Sequence, residues 1–112
     1  MQILGQQFTT IFEMDKDFAF KLAGILEEST NDLLSKLDSS IASADTKKSK
    51  DLLHTIKGSA ANFGADALME KTREVEAVIH LLNNDNVNEY NQQVEEIKNI
   101  FNMTIQELEK LK

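Results

Sequence analysis

The chain contains no proline and only four glycines in 112 residues. Tight turns draw on both residue types, so a β-rich domain of this length is disfavoured and long helices joined by few loops are expected. The charge pattern agrees, with polar and charged residues interleaved between regularly spaced apolar ones. We therefore expect an all-α fold, an antiparallel four-helix bundle with a short leading helix, formed by residues 1–112 as one domain.

The apolar spacing places the elements. Leu4, Phe8, Ile11 and Phe12 suggest a short helix over residues 3–12, and Asp15 then reads as the N-cap of the next. Phe18, Leu22, Ile25, Leu26, Leu33 and Leu37 recur at steps of three, four or seven, with Ile41 at the margin of the stripe. The end falls at Ser39-Ser40 or at Ser43-Ala44. A third helix starts near Asp45 or Thr46, with Asp45 as cap. It runs through Leu52, Leu53, Ile56, Ala60 and Phe63 to Gly64, a residue suited to the left-handed helix end. Leu68, Thr72, Val75, Ile79 and Leu82 line a fourth helix beginning at Asp66. After the polar break 83–86, the last helix carries Val87, Tyr90, Val94, Ile97, Phe101, Thr104, Leu108 and Leu111. That repeat alone would suit a two-stranded coiled coil, but four stripes in one short chain favour local antiparallel packing. Tyr90, Phe18, Phe63 and Phe101 read as core. Phe20 lies off its stripe, either packed under the leading helix or part of an apolar rim.

Several function classes are excluded or weakened. Zero cysteines rule out disulfides, thiolate nucleophiles and cysteine-ligated metals, and two histidines leave no His-rich metal site. A net charge of −7 opposes binding to a phosphate backbone, so no nucleic-acid partner is expected. No apolar run is long enough to span a membrane, and the start MQILGQQFTT is not a signal peptide, so a cytoplasmic location is expected. A monomer is expected on the argument that a closed bundle leaves no unfilled apolar face. The initial Met, with a helix running nearly to Lys112, suggests a stand-alone protein.

The stretch from Asp51 to Ala65 carries the chemistry. At about 100° per residue, Leu52, Ile56, Ser59, Ala60 and Phe63 fall on one side, with Leu53 at the edge and His54 almost opposite. His54 therefore faces outward. Lys50, Lys57, Gly58 and Ala61 share that face. A glycine inside a helix costs about 1 kcal/mol relative to alanine. Gly58 serves either close helix packing or, on an exposed face, a flat approach to the histidine for something large. Lys47, Lys48, Lys50 and Lys57 concentrate positive charge, either as a solvated helix face or as a field suited to phosphoryl oxygens, to which Lys57 is best placed to donate. A free imidazole titrates near about 6.5, so it is substantially neutral and nucleophilic at cellular pH.

The run His-x-Ile-Lys-Gly-Ser-Ala-x-x-Phe-Gly-Ala-x-x-Leu, His54 to Leu68, resembles the signature of the histidine-containing phosphotransfer (HPt) family. Met14-Asp15-x-Asp17-Phe18 is similar to the family's usual opening of its first long helix. The resemblance implies that His54 is the phospho-acceptor, taking a phosphoryl group from a receiver-domain aspartate of a hybrid sensor kinase and passing it to a response regulator. It implies that Lys57 stabilises the phosphoryl group and that Lys50, Gly58 and Ala61 belong to the receiver-docking face. Glu76 matches the position whose side chain often bonds the non-reacting ring nitrogen; otherwise it is a partly exposed acid paired with Lys71, Arg73 or another base. No resident cofactor is implied, since Mg²⁺ and the aspartate would come from the receiver. The chain shows no nucleotide-binding loop or kinase signature, so a phosphoryl carrier rather than an enzyme is expected.

Two other classes fit the residues less well. A hydrolase or transferase using His54 as general base needs a nucleophile beside it, and Thr55 and Ser59 point elsewhere on the wheel. A helical adaptor or coiled-coil protein without phosphotransfer leaves Gly58 and the outward histidine unexplained. His80, without a lysine–glycine context, reads as a surface or half-buried residue.

Overall fold

The computed structural model describes residues 2–112, and its elements are all helical. They are α1 (Gln6–Met14), α2 (Lys16–Ala42), α3 (Thr46–Phe63), α4 (Asp66–Val78), a single 3₁₀ turn (Ile79–Leu81) and α5 (Val87–Lys110). Helices α2 to α5 form a ring in which α2 packs on α3, α3 on α4, α4 on α5 and α5 back on α2. α1 lies across α2 and α3. The ring is the expected four-helix bundle with its short leading helix.

Local chemistry explains the boundaries. Asp15 Oδ1 accepts from Phe18 N at 3.0 Å and Asp45 Oδ1 accepts from Lys48 N at 3.0 Å, so both predicted carboxylate caps are in place. Each satisfies a backbone donor that the first helical turn leaves without a partner. Gly64 ends α3 at φ 93, and a β-carbon there would also collide with the backbone of Phe8. Only glycine meets both demands. The α2–α3 turn instead puts Ala44 at φ 55, the one non-glycine residue with positive φ among those described. It survives there because Asp45 N donates to Ser40 O at 2.8 Å and Ser40 Oγ lies 2.7 Å from Ser49 Oγ, tying the two helices together.

The α2 face differs from the expected one. Phe18 and Ile25 are 49% and 59% exposed, whereas Ala19, Ala23, Leu26, Thr30, Leu34, Leu37 and Ile41 are buried. Leu22 and Leu33 are partly buried against the core. The reason is that α2 packs on α1, α3 and α5, so its buried arc is set by where those helices stand. Small residues fill the closest approaches, and Ile41 is central rather than marginal. Leu53, placed at an edge by the wheel, is fully buried. Helix α1 begins three residues later than the apolar pattern suggested, although Leu4 still packs on the core. The α5 stripe is buried from Tyr90 to Leu108 against α2 and α4 of the same chain, and Leu111 lies beyond its end, exposed. Phe20 meets Phe12 edge-on at 5.8 Å, packed under the leading helix.

Candidate functional site

Helix α3 is anchored by Ser49, Leu52, Leu53, Ile56, Ala60 and Phe63, all buried. That anchoring fixes the opposite face outward. His54 stands there with its side chain 71% exposed. Lys50, Gly58 and Ala61 are exposed on the same face. A β-carbon built on Gly58 would meet nothing within 4 Å, so no packing contact within the chain requires a glycine there.

Glu76 reaches this face from α4. Its Oε2 lies 3.1 Å from His54 Nδ1 and its Oε1 lies 2.6 Å from Lys57 Nζ. Both pairings open from the sequence are formed, one to the ring nitrogen and one to another base, Lys57, while Lys71 and Arg73 are engaged elsewhere. Lys71 instead meets Gln93 and Glu96 on α5, and Arg73 meets Glu70. Glu76 is only 12% exposed at its side chain. Burial pushes its carboxyl upward, but hydrogen bonds from Lys57 and His54, and their charges, outweigh that and hold it below the usual carboxylate range. An ionised carboxylate only accepts, so Nδ1 carries a proton, and in the neutral ring the lone pair is on Nε2.

Two hollows border α3, neither lined by His54 itself. On the α4 side, one of about 460 Å³ is lined by Lys50, Lys57, Arg73, Glu76 and His80, among others. Arg73 and His80 thus share the site's surroundings, although the sequence reading gave neither a place beside His54. The available signal was their spacing with Glu76 and Ala77, which puts Arg73 on the outer face of α4 and His80 in the 3₁₀ turn that follows it. On the α2 side, Leu22, Ile25, Ser59, Asn62 and Phe63 border a more apolar hollow of about 250 Å³. The exposed Ile25 and Phe18 continue it along α2, so the premise of a bundle without an unfilled apolar face does not hold. Thr55 Oγ1 is turned back to Asp51 O at 3.0 Å, and Ser59 faces α2. Neither stands beside His54 as a nucleophile.

Among the described residues no group of three or more His, Asp or Glu side chains could hold a metal ion, and no helix is long and apolar enough to cross a membrane. No curated protein and no solved structure matches the chain. A family model described as Hpt domain matches residues 21–110, a span that contains α3, α4, α5 and most of α2. The chain belongs to the Hpt domain family, whose members carry phosphoryl groups on histidine in phosphorelays and interact with receiver domains.

Proposed function

We propose that this protein is a phosphorelay intermediate that accepts a phosphoryl group on Nε2 of His54 from an aspartyl phosphate of a hybrid kinase's receiver and returns it to the receiver of a response regulator. The observation that carries the reading is the exposed His54 ring with Nδ1 held by Glu76 at 3.1 Å. In the accepting step the Nε2 lone pair forms an N–P bond, and the P–O bond to the donor aspartate breaks with its electron pair leaving on the carboxylate. The ring becomes cationic, and Glu76, already bonded to the Nδ1 proton, stabilises that charge. Lys57 neutralises the phosphoryl oxygens. Mg²⁺ belongs to the receiver's side of the reaction, and this chain's residues orient the ring and offer the charge.

Docking in this reading uses both hollows. Ile25 and Phe18 on the α2 side supply apolar area, and Lys50 on the α4 side supplies positive charge. Gly58 and Ala61 keep the surface between them low, so a receiver can bring its aspartate to the ring. The local cations would steer an acidic partner toward this face of an otherwise acidic protein. Incubation with a phosphorylated receiver tests the reading through acid-labile, base-stable phosphate on the chain. An adaptor without phosphotransfer would keep both its binding and its cellular effect in His54→Ala, whereas a relay protein would keep binding and lose output.

A further inference from the structure

The cation expected to meet the phosphoryl group already has a partner. Lys57 Nζ lies 2.6 Å from Glu76 Oε1, and its side chain is only 27% exposed. The ammonium is folded back toward α4 rather than extended toward the open side of the ring. Glu76 uses its other oxygen on His54 Nδ1, so one carboxylate holds both the nucleophile and the cation. No other acid takes over Lys57: Glu70 is on Arg73, and Glu74 and Glu96 are on Lys71.

A phosphoryl group on Nε2 adds up to two negative charges on the face where Lys57 sits. A compact ammonium on a flexible stem is drawn to the stronger anion. We infer that Lys57 changes partners during the relay, held by Glu76 while His54 is free and drawn to the phosphoryl oxygens once His54 is modified, so that Glu76 tunes how readily the group is passed on. Breaking the Lys57–Glu76 pair offsets part of what Lys57 gains at the phosphoryl group. The modified protein is therefore a better donor than one whose lysine had no competing acid. This inference rests on His54 being the acceptor, and it assigns Glu76 a positioning role toward Lys57 beyond its bond to the ring.

A double-mutant cycle tests it without a cognate partner. Phosphoramidate is the probe: His54 Nε2 forms the new N–P bond, the donor's P–N bond breaks, and ammonia leaves with the electron pair. The phosphorylated fraction of wild type, Lys57→Met, Glu76→Gln and the double variant is read by ³¹P NMR at a fixed phosphoramidate-to-ammonium ratio near pH 8, with His54→Gln as site control. Partner exchange predicts that Lys57→Met lowers the phosphorylation equilibrium about fivefold more in the Glu76→Gln background than in wild type, the factor expected for an ion pair worth about 1 kcal/mol. Direct effects of Glu76 on the ring cancel in the cycle. Equal losses in both backgrounds would overturn the inference, as would a smaller loss in the Glu76→Gln background than in wild type. Circular dichroism confirms folding, and Glu76→Ala repeats the cycle if Glu76→Gln is perturbed. Absence of phosphate on His54 even with phosphoramidate would overturn this inference and the relay reading together. Modification by phosphoramidate without transfer from any phosphorylated receiver would count against the relay reading alone.

Discussion

Glu76 accepts from His54 across 22 residues of sequence, with its Oε2 3.1 Å from Nδ1, and this contact joins α4 to the reactive face of α3. Its carboxyl is held below the ordinary value of 4.5: burial acts upward, and the bonds from Lys57 and His54 outweigh it. A depressed carboxylate stabilises the fold fully above the unfolded-state value and loses that contribution as pH falls through the folded one. Thermal melts should therefore show a loss of stability on acidification below about 4.5 that Glu76→Gln makes shallower. An identical acid limb in the variant would contradict the assigned interactions.

Gly58 gives a prediction with two opposite signs. Nothing lies within 4 Å of a β-carbon placed there, so Gly58→Ala should raise stability to urea by about 1 kcal/mol through helix propensity. A larger side chain such as Gln at the same place should slow transfer from a receiver while leaving the bundle folded. Unchanged transfer with Gly58→Gln would remove the docking role given to this position.

Ala44 holds φ 55 at the α2–α3 turn. An alanine in the left-handed region carries strain of about 1–2 kcal/mol, part of which a glycine relieves while adding unfolded-state entropy. Ala44→Gly should therefore stabilise the protein by about 0.5–1 kcal/mol in urea titrations and leave phosphotransfer unchanged.

Three helix ends were legible in the sequence because they depend on single residues, whereas the start of α1 and the end of α4 at Val78, short of the expected Leu82, were not. Asp15, Asp45 and Gly64 act within a few positions of themselves, and all three sit where the pattern placed them. The outward direction of His54 was legible for the same reason, since six anchoring side chains on one short helix leave only one opposite face. The inner face of α2 was not. Hydrophobicity ranks Phe18 and Ile25 above Ala19, Ala23 and Thr30, yet the close approaches of three neighbouring helices select the small residues. The Lys57–Glu76 pair was also hidden, because it depends on the rotation of α4 against α3 rather than on any spacing within either.

That difference on α2 can be measured. Leu34, buried on α2, should cost about 2–5 kcal/mol when changed to alanine. Ile25→Ser, at a position 59% exposed, should stay within about 0.5 kcal/mol of wild type. The same Ile25→Ser change should weaken receiver binding, read by titration calorimetry, whereas undiminished affinity would take the α2 side out of the docking face.

Whether His54 carries the phosphoryl group is decided by transfer from a phosphorylated receiver to wild type and to His54→Gln side by side. Acid-labile, base-stable phosphate should appear on the wild type and be absent from the variant. Phosphate that persists on His54→Gln would place the acceptor elsewhere and overturn the relay reading.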